Sequence, residues 1–123
     1  MNEIIIAATH NTPLVMFEPT GSLYLKGRSL GSKSASFYEP LIEWAEYLNA
    51  EDVTFTVELD YMNTTSVKCL FTLFKALENN LLVKNFEIIW QYEEDDEDMF
   101  EKGTIYSEKL KNTRFIFNEL IEA

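Results

Sequence analysis

Near the middle of the chain, Asn63-Thr64-Thr65-Ser66 places three hydroxyls and an amide on consecutive residues. An apolar β-branched run at residues 53–59 (VTFTVEL) leads in, and the periodic segment 67–77 (VKCLFTLFKAL) leads away. That order predicts a strand, a corner and a helix. A helix start offers unpaired N–H groups and the positive end of the helix dipole. Asn63 or Thr64 can cap it, which is one use of the cluster. A second use is a phosphorylation switch. A phosphoryl group here adds roughly two negative charges, which the helix end tolerates, while any partner touching the corner meets a bulky dianion. In α/β folds, function also gathers at the carboxyl ends of strands, where this corner lies.

Other chemistry finds less support. His10 is the one histidine and sits in a polar stretch, so a multi-histidine zinc site is excluded and a surface histidine is expected. Cys69 lies three residues beyond Ser66 with no histidine near it in sequence, and reads as a small packed hydrophobe. Neither GxGxxG nor GxxxxGK[ST] occurs, so no nucleotide cofactor is called for. The acidic run 93–98 (EEDDED) offers oxygen ligands to a hard cation, but lacks the alternating ligands and central glycine of a calcium loop. It reads better as a solvated turn whose Asp96, Glu97 and Asp98 favour a helix N-terminus. A docking surface for a basic partner is its main competitor.

The elements that must position the corner follow from periodicity. Residues 1–12 are mixed and polar, with a short apolar run at 4–6; residues 14–27 (LVMFEPTGSLYLKG) read as a β-hairpin turning at Pro19-Thr20-Gly21. The serine- and glycine-rich stretch 27–34 reads as a loop. A helix follows over 36–50, with Ser36 and Glu39 in capping-box spacing, Pro40 in its first turn, and Phe37, Leu41, Trp44, Ala45 and Leu48 on one buried face. The corner's own helix ends at Asn79-Asn80. Residues 85–93 form a strand whose apolar centre predicts a place inside the sheet, 99–111 a helix weakened by Gly103, and 114–120 an edge strand. Strands alternating with helices predict an α/β layered fold with parallel pairs and right-handed crossovers, the opening hairpin making the sheet mixed.

The 123 residues fit one domain, 1–123, and 46% hydrophobic composition supports a real core. With 21 acidic against 10 basic residues the net charge is −11, which argues against nucleic acid or an anionic membrane surface as partner. Small proteins, or basic patches on larger ones, fit better. No apolar run is long enough to span a bilayer, the start MNEIII lacks the basic character of an export signal, and a single cysteine suits a reducing cytoplasm. A cytoplasmic location is expected.

Several segments in order carry a family resemblance. ELDYMNTTSVKCLFTLFKALE, SFYEPLIEWAEYL, IIWQYEEDDEDMFEKG and RFIFNE resemble the corresponding stretches of the SiaC family of biofilm-regulating phosphoproteins, whose fold is similar to STAS domains. The resemblance implies a STAS-like single domain and a signalling adaptor without catalysis of its own. It implies that Thr64 is phosphorylated by a serine/threonine kinase and restored by a PP2C-type phosphatase. It further implies that the unphosphorylated form binds and stimulates a diguanylate cyclase, raising cyclic di-GMP. Asn63, Ser66, Val67 and Lys68 match the motif, and Thr65 keeps the hydroxyl of its second position. Tyr61, Met62, Asn63, Thr65, Ser66 and Lys68 flank the switch as candidate partner contacts, Met62 being equally a candidate for the core. The alternatives are a constitutive interaction module in which Thr64 only caps a helix, and a small metal-binding protein using residues 93–98.

Overall fold

Strand and helix signals alternate in the sequence, and the computed structural model, which describes residues 1–121, turns that alternation into two layers. The described elements are β1 (Ile4–Ile6), β2 (Leu14–Phe17), β3 (Ser22–Ser29), α1 (Ser34–Glu46), β4 (Asp52–Met62), α2 (Thr64–Glu78), β5 (Asn85–Glu93), α3 (Glu97–Lys109) and β6 (Arg114–Leu120). The strands form one mixed sheet in the order β1-β2-β3-β4-β5-β6. β1 to β3 are antiparallel and β3 to β6 parallel. Each parallel step is crossed by one helix, and successive right-handed steps in one direction put all three helices on the same face.

Aromatic contacts follow from that layering. Phe17 meets Trp44 of α1 at 5.4 Å between ring centroids, Phe55 meets Phe74 of α2 at 5.4 Å, and Trp90 meets Tyr106 of α3 at 5.5 Å. The strand partners alternate with solvent-side residues, so Leu23, Leu25, Phe55, Val57, Ile88 and Trp90 form the buried floor. On the opposite, helix-free face, strand register aligns Ile5, Met16, Tyr24, Thr56, Ile89 and Ile116 in a single row across the sheet.

Three local expectations need correction. The apolar run at residues 4–6 is a true edge strand, paired with β2 and tied in by the Trp44 indole N–H, which donates to Asn2 O at 2.8 Å. The predicted loop 27–34 begins only after Ser29, because β3 stays paired with β4 to its end. α1 starts at Ser34, with Lys33 at the N-cap and no side-chain cap, so Ser36 and Glu39 form no capping box and Pro40 lies inside the helix rather than in its first turn. The cause is Ser34, whose hydroxyl is drawn inward to Gly31 O and Ser66. Pro40 is tolerated on the solvent side, where the carbonyl it leaves unpaired can meet water.

At the carboxyl end of β4 the register with β3 shifts: Gly27 faces Leu59 but Arg28 faces Tyr61. Asp60 is the extra residue of a β-bulge, and Gly27, at φ +125, supplies the backbone conformation opposite it. The bulge reverses the inward-outward alternation. Val53, Phe55, Val57 and Leu59 point inward, and beyond the bulge Met62 does, leaving Tyr61 outside.

Candidate functional site

Two layers of hydroxyls occupy the corner between β4 and α2. Asn63 is the helix N-cap: its Oδ1 accepts from Ser66 N at 2.9 Å, and its Nδ2 donates to Leu30 O at 2.9 Å and Gly31 O at 3.3 Å. Its own N–H donates to Ser29 O at 3.0 Å. One residue therefore caps α2 and binds it to the loop between β3 and α1.

Ser66 is wholly buried beneath this cap. Its hydroxyl donates to Ser29 O at 2.8 Å, accepts from Ser29 Oγ at 2.7 Å, and lies 2.9 Å from Ser34 Oγ. Ser29 Oγ is also 2.9 Å from the Tyr38 hydroxyl, and because the Ser29 proton goes to Ser66, Tyr38 must be that donor. Burial pushes the Tyr38 hydroxyl up to about 12, opposed by the Ser29 hydrogen bond, so it stays a donor through the neutral range. β3, α1 and α2 thus meet in one buried hydroxyl cluster directly under the corner.

Thr64 and Thr65, in contrast, are exposed, as are Tyr61 and Lys68. Thr64 opens the helix, and its capping duty is already discharged by Asn63. Lys68 stands one turn further on, at the i,i+4 spacing that brings side chains together on a helix surface. The sequence offered Ser66 as a partner contact and Met62 equally as contact or core; the structure places both in the interior, Met62 through the bulge and Ser66 through the cluster. Asn63 is half-buried and holds the corner from within.

Lys68 also stands between two hollows. One lies between α1 and α2, with Glu39, Glu43 and Glu46 on its α1 wall and Cys69 and Thr72 opposite. Burial pushes the Cys69 thiol up, away from thiolate chemistry. The other lies between α2 and α3, where the Tyr106 hydroxyl donates to Val67 O at 2.7 Å. Burial holds the Tyr106 hydroxyl well above the usual phenol range, so it too remains a donor.

Elsewhere, His10 is exposed in the loop before β2. The acidic run closes β5 and starts α3: Asp96 Oδ1 caps Met99 N at 3.0 Å, Glu97 and Asp98 fill the first turn, and Asp98 pairs with Lys102. Among the described residues no group of three or more histidine, cysteine or carboxylate side chains is arranged to hold a metal ion. Among the described residues no helix is long and apolar enough to cross a membrane. Sequence reasoning missed Ser29, Ser34 and Tyr38 as members of the site. The richness of residues 27–34 in serine was the available signal, and it pointed to a loop rather than to buried partners.

Fold and corner together define a mixed α/β domain with exposed hydroxyls at a strand-to-helix junction. The chain belongs to the SiaC family of regulatory phosphoproteins, whose model matches residues 6–120. Solved structures agree in fold. Apo-SiaC from Pseudomonas aeruginosa is 22% identical, with a TM-score of 0.85 over 96% of this chain and 99% of that one. A second structure of SiaC from the same organism is 21% identical, with a TM-score of 0.86 over 98% and 100%. A chain in the crystal structure of the diguanylate cyclase SiaD in complex with its activator SiaC, also from Pseudomonas aeruginosa, is 22% identical, with a TM-score of 0.85 over 95% and 99%. A search of curated proteins by sequence found no match.

Proposed function

We propose that this protein is a non-catalytic, cytoplasmic signalling adaptor switched by reversible phosphorylation of Thr64, its unphosphorylated form binding and activating a diguanylate cyclase. A serine/threonine kinase and a PP2C-type phosphatase set the phosphorylation state. One observation carries the reading: Thr64 is an exposed hydroxyl at the first position of a 15-residue helix, with cap and anchoring supplied by Asn63 and Ser66. A phosphoryl group there costs the fold no structural hydrogen bond that Asn63 and Ser66 provide. It gains the helix dipole and Lys68 one turn away, and it changes the surface by up to two negative charges. Family membership and the fold shared with a cyclase-bound activator support the choice of output. The adaptor acts by binding alone.

The test compares wild type, Thr64→Ala and Thr64→Asp with a diguanylate cyclase of the same genome. Thr64→Asp should keep its melting temperature within a few degrees, since a carboxylate near a helix start changes stability by only about 0.3–1 kcal/mol. It should lose cyclase stimulation, while Thr64→Ala retains it. Equal stimulation by all three would leave a constitutive module in place of a switch. Mass spectrometry of the native protein under two growth conditions should find phosphate on Thr64 with changing occupancy.

A further inference from the structure

The groove between α2 and α3 has the shape and charge of a docking surface, and we propose that it receives an amphipathic helical segment of the partner that carries carboxylates beside apolar side chains. The inference rests on the adaptor reading above and specifies where the partner sits and how the switch evicts it. The groove encloses about 250 Å³ and is lined by Val67, Phe71, Ile105 and Tyr106, with Lys68 and Lys109 at its rim. Ile105 is 50% exposed, although an isoleucine on a helix of this small protein could have been buried. The floor is rigid: the Phe71 ring stacks parallel to Tyr106, with 6.4 Å between centroids and 6° between planes, and Tyr106 is pinned to Val67 O. A rigid apolar notch loses little entropy when a side chain enters it.

Charge selects the occupant. In a chain with 21 acidic and 10 basic residues, Lys26, Lys75, Lys102 and Arg114 each pair with a carboxylate. Among the described residues Arg28, Lys33, Lys68, Lys84, Lys109 and Lys111 do not, and of these six it is Lys68 and Lys109 that line the α2–α3 groove. Lys109 lies over the Phe71 ring at 5.7 Å from its centroid. Two cations without a carboxylate partner beside exposed apolar surface favour an acidic, apolar segment and repel a basic one. The larger hollow on the other side of α2 shares Lys68, but the carboxylates of Glu39, Glu43 and Glu46 along its α1 wall repel the same segment.

This position also explains how one modification can release a partner. Phosphothreonine at 64 is one helical turn from Lys68 and competes with the partner's carboxylate for it. The same group sets a dianion one helical turn from Val67 and Lys68 of the groove's lining. Attraction is withdrawn and repulsion added in one step.

The experiment measures binding of the full chain to the diguanylate cyclase of its own genome by calorimetry, at about 50 and 400 mM salt. Lys109→Glu and Ile105→Asp should each weaken binding roughly tenfold or more. Wild-type affinity should fall with salt, and Glu43→Lys should bind within about twofold of wild type. Both groove positions are exposed, so melting curves should remain close to wild type and separate lost docking from lost folding. If Lys109→Glu and Ile105→Asp bind normally while Thr64→Asp does not, the switch stands and the groove is overturned. If Glu43→Lys is the variant that fails, the occupant lies in the hollow against α1, which also overturns it. If Thr64→Asp binds normally while the groove variants fail, the groove stands and the switch reading falls. A wild-type dimer in sedimentation that Lys109→Glu dissolves would place a second copy of this chain in the groove and overturn the acidic-partner assignment.

Discussion

Four side-chain hydroxyls under the corner, those of Ser29, Ser34, Tyr38 and Ser66, make five contacts with one another or with backbone carbonyls. They hold four protons between them, so one contact, that between Ser34 and Ser66, shares a proton already committed to a carbonyl. Among the described residues no buried side-chain polar atom is left without a partner. This arrangement divides the three neighbouring hydroxyls by role: Ser66 is structural, while Thr64 and Thr65 face solvent. The division is testable by stability alone. Asn63→Ala removes the cap and the tie to Leu30 and Gly31, and should cost about 1–2 kcal/mol in urea denaturation. Thr65→Ala should stay within about 0.5 kcal/mol of wild type. The sequence made the cluster visible and identified Asn63 as a possible cap, but it could not assign sides. Met62 shows why. Strict alternation from Leu59 would have turned Tyr61 inward, and the bulge that turns Met62 inward instead depends on Gly27, a residue on another strand.

At the scale of elements, the alternation of strands with helices was enough to predict the mixed sheet, its parallel steps and the interior position of β5. Close approach between elements was not legible, and α3 is the example. Gly103 reads in sequence as a weak point in a helix. In the structure it is the place where α3 comes down on β5: a Cβ at 103 would lie 2.6 Å from the Trp90 ring and 2.9 Å from Phe117. The Trp90 indole cannot easily give way, because its N–H donates to Met99 O at 2.9 Å on the same helix. Gly103→Ala therefore sets two effects against each other. Helix propensity favours alanine by about 1 kcal/mol, and overpacking of a tight contact costs about 1–3 kcal/mol. Packing should win, giving a net loss of up to about 2 kcal/mol, read as a lower urea midpoint. A gain in stability would mean that α3 lifts from Trp90 at little cost. Such a shift should also disturb the groove beside Tyr106, since Trp90 and Tyr106 are in ring contact.

For the whole molecule, acid acts in two opposing directions. At pH 7 the net charge of −11 makes the folded chain repel itself, and protonating carboxylates relieves that repulsion. Glu78 works the other way. Burial disfavours its charge, but hydrogen bonds from Lys75 Nζ at 2.8 Å, Thr113 Oγ1 at 2.6 Å and Asn112 N at 3.1 Å outweigh burial and hold the carboxyl below the ordinary glutamate range. This carboxylate fastens the end of α2 to the turn between α3 and β6, joining segments far apart in sequence. A carboxyl lowered in the folded state contributes stability that is fully present above its unfolded value of about 4.5, and loses it as the pH falls through the folded value. Because the two effects differ in sign, the wild-type pH profile alone cannot isolate Glu78, whereas its difference from Glu78→Gln can. The amide keeps an acceptor for Thr113 and Asn112 but loses the charge facing a partly exposed Lys75. The variant should therefore be less stable by about 1–2 kcal/mol at pH 7. Urea denaturation at a series of pH values should show this gap unchanged down to about pH 5, then narrowing as wild-type Glu78 takes up its proton. A gap constant into strong acid would mean that shape, rather than charge, makes position 78 matter.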